Sequence, residues 1–263
     1  MYRKLFLAAA LCLATPAFAQ KTDLVVMEKM TSYEIRDAIA AGKTTVILPS
    51  GGTEQNGPHM ATGKHNFRAF ADAQTLAHRL GNALVASVIP YTPEGKYDPP
   101  QGHLRYPGTI GIPEDVYAGV VEGAVRSLKL HGFKNIVLIG DHGSDQEGEK
   151  LAAEKLNREW AGTGVRVHAI LSYYRGDQDA DAAELAKLGI RKEEMGNHAD
   201  VRDTSRMMAI DPAMVHADRL EAGNGKNGVE GDPRRSSIAI GKVLNGRILD
   251  RTLADIKKSI AAP

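Results

Sequence analysis

The chain has 263 residues, 43% of them hydrophobic and 25% charged, with a formal net charge of +1. That length suits one large α/β domain with a substantial core. The near-neutral charge and the 5% aromatic content exclude strong steering toward nucleic acid or anionic lipid and a stacking platform for bases.

Residues 1–19 read as a secretory signal. Arg3 and Lys4 form a basic start, Leu5 to Ala14 a short apolar core, and Ala17-Phe18-Ala19 a cleavage site that would leave Gln20 as the new N-terminus. The apolar core is shorter than the roughly 20 residues that span a bilayer, so no membrane attachment is expected after cleavage. Cys12, the only cysteine, lies inside this segment. Residues 20–263 therefore hold no disulfide, thiolate ligand or cysteine nucleophile. This fits a periplasmic or secreted protein.

The segments then alternate in type. Thr45 to Leu48 reads as a buried strand that stops at Pro49, Asn66 to Leu80 as a helix and Ala83 to Tyr91 as a strand. A Gly/Pro-rich loop from Thr92 to Pro113 is long enough to be functional. A helix opens at Pro113-Glu114-Asp115 and runs to about His131, with acidic groups in its first turn. Lys134 to Gly140 reads as a strand, Gln146 to Trp160 as a helix and Val165 to Tyr174 as a strand. Short helices are expected over Ala180 to Leu188, Arg191 to Met195 and Thr204 to Ile210. Ser236 to Leu249 is mixed, and Leu249 to Ile260 reads as a terminal amphipathic helix. Such alternation predicts a mostly parallel sheet between helical layers, a three-layer αβα sandwich, in one domain over 20–263.

The stretch Ile47 to His65 carries Glu54, Asn56, His59 and His65 on a Gly-rich loop just past a core strand. Open α/β sheets bind their ligands at the carboxyl ends of strands. Carboxylate and imidazole together suit zinc, iron or manganese. The strand over 134–140 repeats the pattern with Asp141-His142-Gly143-Ser144-Asp145. Helix capping explains Ser144 or Asp145 but not His142. His198 and Asp203 flank a short turn, where acid/base or ligand roles compete with a simple cap at Asp203 or Ser205. His103, in the long loop, is either a contact to substrate or to a neighbouring subunit, or simply solvated. His78, His131, His168 and His216 lie in no polar cluster, and Trp160 reads as a packing residue. There is no Gly-x-Ser-x-Gly elbow, P-loop or His-Glu-x-x-His. The one Gly-x-Gly-x-x-Gly, Gly223 to Gly228, neither follows a strand nor opens a helix. Any metal site must be assembled from separate segments.

Taken in order, these segments resemble the creatininase family. The first motif is Leu48-Pro49-Ser50-Gly51-Gly52-Thr53-Glu54-Gln55-Asn56-Gly57-Pro58-His59-Met60. Pro107-Gly108-Thr109, Asp141-His142-Gly143-Ser144-Asp145, His198-Ala199-Asp200-Val201-Arg202-Asp203-Thr204-Ser205, and Gly231-Asp232-Pro233 with Gly241 follow. The resemblance implies a hydrolase that commonly binds two metals, with a first ion on the positions of Glu54, His65 and His142. At the second site this chain has Asn56 where the family has His, and His65 where a shared Asp would bridge. An imidazole has one lone pair to give, and cannot bridge two ions as a carboxylate does unless doubly deprotonated. The expectation is therefore one divalent ion, zinc first with manganese or iron as alternatives. Two imidazoles, one carboxylate and an open position form a catalytic zinc set.

The resemblance further implies that His198 shuttles a proton to the leaving nitrogen. Asp203 would hold His198 or complete the metal shell, and Asn56 would donate to substrate or oxyanion. His59 and Asp141 would orient the ligands. Creatinine is not the expected substrate, because the family's creatinine enzyme closes tryptophans over its ring and Trp160 is the only one here. The expected substrate is a small molecule with an amide or cyclic amide bond, with lactone hydrolysis or an inactive binding relative as alternatives. A closed homo-oligomer, often a hexamer in the family, is also implied.

Overall fold

The structure, a computed structural model, describes residues 24–176 and 178–262. The expected signal segment, residues 1–19, lies outside them. Four strands form one parallel sheet: β1 (Thr45–Ser50), β2 (Ala83–Val85), β3 (Asn135–Gly140) and β4 (Arg166–Ala169), in the order β2-β1-β3-β4. The central pair is in register from Thr45 opposite Asn135 to Ser50 opposite Gly140. Both central strands are buried on both faces, as their near-continuous runs of Val, Ile and Leu require.

Period-2 alternation divides those apolar side chains between two cores. Val46, Leu48, Ile136 and Leu138 point to one side, where they meet Tyr117, Val121 and Val125 of α3 (Glu114–Leu130) and Ala152 and Leu156 of α4 (Asp145–Glu159). Ile35 and Ile39 of α1 (Ser32–Ala40) pack against the same cluster. Ile47, Val137 and Ile139 point to the other side, against Ala73 and Leu76 of α2 (Lys64–Leu80) and Ile248 and Ile256 of α8 (Ile238–Ala261). The result is the expected three-layer sandwich. Between β4 and α8 the chain forms α5 (Ser172–Arg175), α6 (Gln178–Lys187) and α7 (Val201–Ile210).

Several boundaries differ from the sequence reading. β1 runs through Pro49 to Ser50. The missing N–H of Pro49 costs little, because its carbonyl still accepts from Ile89 N, where only isolated bridges continue past the end of β2. The strand expected over 83–91 is regular only to Val85, and the one expected over 165–174 gives way to α5 at Ser172. The C-terminal segment is one continuous helix from Ile238, and α1 was not anticipated. Among the described residues no helix is long and apolar enough to cross a membrane.

α7 crosses α8 closely at Gly241, where an added Cβ would lie 1.8 Å from Ser205 O and 2.8 Å from Ala209 Cβ. Gly241→Ala should destabilise the protein by about 1–3 kcal/mol through overpacking. Urea unfolding checks this, and an unchanged midpoint would contradict the close crossing.

Candidate metal centre

The carboxyl ends of the strands deliver the site. Glu54 follows β1, Glu94 lies in the chain beyond β2, and His142 follows β3. The first turn of α2 adds Lys64, His65 and Arg68. At spacings of three and four these share a helix face.

Glu54 is wholly buried, and five nitrogens surround its carboxylate. His65 Nε2 lies at 2.6 Å, His142 Nε2 at 3.0 Å, His103 Nε2 at 3.2 Å, Lys64 Nζ at 3.3 Å and His198 Nδ1 at 3.5 Å. Burial alone would raise the Glu54 pKa. The opposing pull of His65 and Lys64, with hydrogen bonds from His142 and His65, outweighs it and holds the group well below the ordinary glutamate range. Glu94 Oε2 lies 3.5 Å from His142 Nε2. Burial, reinforced by the Glu54 charge, lifts Glu94 to about 7 against the opposing pull of His142.

Glu54, Glu94, His103 and His142 each offer an atom, all within 4.8 Å of one another. Two observations show that this donor set suits a cation. Glu94 Oε2 is buried and has no hydrogen-bond partner. His65 Nδ1 stands 2.7 Å from Asp141 Oδ2, and His65 Nε2 stands 2.6 Å from Glu54 Oε1. His65 thus stands between two carboxylate oxygens, which together favour positive charge at that point. His142 Nδ1 lies 2.6 Å from Ser144 Oγ and accepts from Ser144 N at 3.2 Å, so the Ser144 turn orients the ring with Nε2 toward Glu54.

Of the residues expected as ligands, His65 contacts Glu54 Oε1 and His142 contacts Glu54 Oε2, while the donor group within 4.8 Å holds Glu54 and His142 but not His65. The structure adds Glu94, which the sequence reading passed over, and brings His103 into the cluster. Asp141 touches His65 as expected, and its pKa is driven down against burial by Arg68 and the His65 hydrogen bond. His59 does not reach these ligands. It bonds Thr204 Oγ1 of α7 at 2.9 Å, and burial and Lys64 depress its pKa to about 4.

Two roles require correction. Asn56 Nδ2 donates to Glu54 O and Ala61 O, both at 3.0 Å, so its two amide protons tie down the loop and none remains for an oxyanion. Asp203 binds Lys64 Nζ at 2.9 Å, Arg68 Nη1 at 2.7 Å and Ala199 N at 3.0 Å. It neither bonds the His198 ring nor is free to complete a metal shell. Its support of His198 runs through the backbone of Ala199, which is held at φ 52, a left-handed conformation costly for a residue with a Cβ.

His198 is buried beside the same cluster. Its Nε2 donates to Gln55 O at 2.8 Å, which leaves Nδ1 toward Glu54. Burial and Lys64 depress its pKa to about 3, so the ring is neutral at pH 7. The Pro107-Gly108-Thr109 segment braces the same loop, with Thr109 Oγ1 accepting from Gln55 N at 3.0 Å.

A parallel α/β fold with a buried carboxylate–imidazole cluster at its strand ends defines the class. The family profile described as creatininase, creatinine amidohydrolase, matches residues 28–256, and the chain belongs to this family. It is 29% identical over 201 residues to the creatinine amidohydrolase of Pseudomonas putida, covering 74% of this chain and 75% of that one. It is 26% identical over 192 residues to the 3-dehydro-scyllo-inosose hydrolase of Thermotoga maritima, covering 73% of this chain and 58% of that one. A mutant creatininase of Zn-Zn type superposes with a TM-score of 0.74 at 23% identity, covering 91% of this chain and 99% of that one. The named relatives are hydrolases.

Glu54→Gln and His142→Ala should each weaken zinc binding at least 100-fold, which competition with a chromophoric chelator will read. Wild-type affinity in either variant would remove that residue from the centre. Zinc should also bind more tightly as pH rises from 6 to 8, because a cation beside Glu94 favours the ionised form of a group poised at about 7. Glu94→Gln should flatten that slope, and an unchanged slope would assign the proton elsewhere.

Proposed function

We propose that this chain is an exported, metal-dependent hydrolase that cleaves an amide or cyclic amide C–N bond in a small molecule other than creatinine. The observation that carries this reading is the buried Glu54 carboxylate, met by imidazoles from four separate segments at the sheet's carboxyl edge. Glu54, His65 and His142 would hold one divalent ion, zinc in the first instance, with Glu94 and His103 beside its open position. Once bound, the ion supplies a water with a pKa near 7 and polarises the scissile carbonyl.

The protein groups do the remaining work. Glu94, buried and poised at about 7, takes a proton from the attacking water. His198, locked through Nε2 on Gln55 O, presents Nδ1 to relay the proton taken up by Glu94 to the leaving nitrogen, which returns both groups to their starting forms. Its burial disfavours the imidazolium, so a proton it picks up is readily passed on. The argument against creatinine rests on Trp160. It is buried at the end of α4, within the core cluster of the sheet's other face, and is not placed to close over a flat ring at Glu54. A closed homo-oligomer in the periplasm belongs to the same proposal and is checked by mass in solution and by fractionation.

A panel of cyclic amides, linear amides and lactones, assayed with the zinc-loaded protein, tests the reaction class. Amide turnover is expected. Turnover of lactones alone would move the assignment to C–O hydrolysis, and no zinc-dependent turnover of either would contradict it. His198→Ala should retain zinc yet lose about 100- to 10,000-fold in kcat, and unchanged kcat would remove His198 from proton transfer.

A further inference from the structure

Lys64 is the first residue of α2, and its side chain is wholly buried. That is a costly place for an ammonium: burial removes its water, and the helix dipole is positive at that end. Only carboxylates offset the cost. Nζ lies 2.9 Å from Asp203 Oδ2 and 3.3 Å from Glu54 Oε1. Its charge acts on Glu54, Glu94 and Asp203 and on the rings of His59, His103 and His198. Lys64 thus stands inside the cluster as a metal ion would, bridging two carboxylates.

The charge balance points the same way. Glu54, Glu94, Asp141 and Asp203 are the carboxylates of the centre, and Lys64, Arg68 and, 3.7 Å from Asp141, Arg206 are its fixed cations. The Lys64 ammonium already places a positive charge between Glu54 and Asp203, so a second divalent ion at those carboxylates would meet it at close range, whereas the loss of Lys64 would leave both carboxylates short of a cation.

We propose that Lys64 is a resident cation standing in for a second metal ion, so that its ammonium, held between Glu54 and Asp203, limits the centre to one divalent ion per chain. This rests on the single-ion reading above and extends it to a residue with no part in that reading. Lys64 acts through the carboxylates it holds, as a positioning residue.

The test is zinc binding by equilibrium dialysis, with the metal counted by mass spectrometry, on wild type, Lys64→Met and Lys64→Arg. Wild type and Lys64→Arg should hold one zinc with similar affinity. Lys64→Met should bind zinc at least tenfold more tightly and melt at a lower temperature without metal. Affinity of Lys64→Met within twofold of wild type, or weaker, would overturn the proposal while leaving the hydrolase reading intact. Two zinc ions in wild type would also overturn it, since the ammonium would then exclude nothing. No zinc in wild type would instead defeat the metal reading on which it rests. If Lys64→Met does not fold, Asp203→Asn reads the same balance in the opposite sense. By leaving the ammonium less neutralised it should weaken zinc at least tenfold, and unchanged affinity would overturn the proposal.

Discussion

A closed ring of acidic and basic side chains underlies everything else at this site. Glu54 meets His65, His65 meets Asp141, Asp141 meets Arg68, Arg68 meets Asp203, Asp203 meets Lys64, and Lys64 returns to Glu54. The three basic members come from one turn of α2, and the three acids from three distant segments. Each contact spans 3.3 Å or less, so no member can leave without stranding a neighbour in a medium of low polarity. The ring pins the loop after β1, the end of β3 and the start of α7 to one helix. It therefore fixes where the imidazoles of His142 and His198 point.

The two cores explain why this arrangement can be rigid. β1 and β3 are buried on both faces, so their carboxyl ends emerge from close-packed surroundings rather than from mobile loops. Tyr117 extends the effect by joining Ser50, at the end of β1, to Glu149 of α4 through its hydroxyl. Glu54 and His142 start within a few residues of those ends, and only short stretches of backbone separate the chemistry from the sheet.

Much of the frame was legible in the sequence. The Val/Ile/Leu runs of β1 and β3 and the polar residues beyond them announced buried parallel strands with a site at their ends. Glu54, His65 and His142 converge because strand order brings β1 beside β3, and each supplies its polar residues just past its end. The missed features depend on tertiary placement. Lys64 lay just before the anticipated start of a helix, and only the true N-terminus of α2 puts it on one face with His65 and Arg68. Glu94 sits in a loop with no periodicity. It is directed inward by the Thr92–Gly111 bridge and by Gly111, where a Cβ would come 2.8 Å from Glu94 Cβ. The roles expected of Asn56 and Asp203 failed for a related reason: sequence position cannot show that a carbonyl or an ammonium already holds the side chain. The second half of α8 is legible as a helix from Leu249, whereas Gly241 and Gly246 weaken the helical signal of its first half, although the packing of Gly241 on Ser205 is what lets it run on past α7.

The account turns on a single cation at Glu54, and anomalous diffraction at the zinc edge from crystals of the zinc-loaded protein addresses it most directly. One peak per chain is expected, at roughly 2.0–2.2 Å from a Glu54 oxygen and from the Nε2 atoms of His65 and His142, with Lys64 Nζ still bridging Glu54 and Asp203. No peak at Glu54, or two peaks with Lys64 displaced, would contradict it.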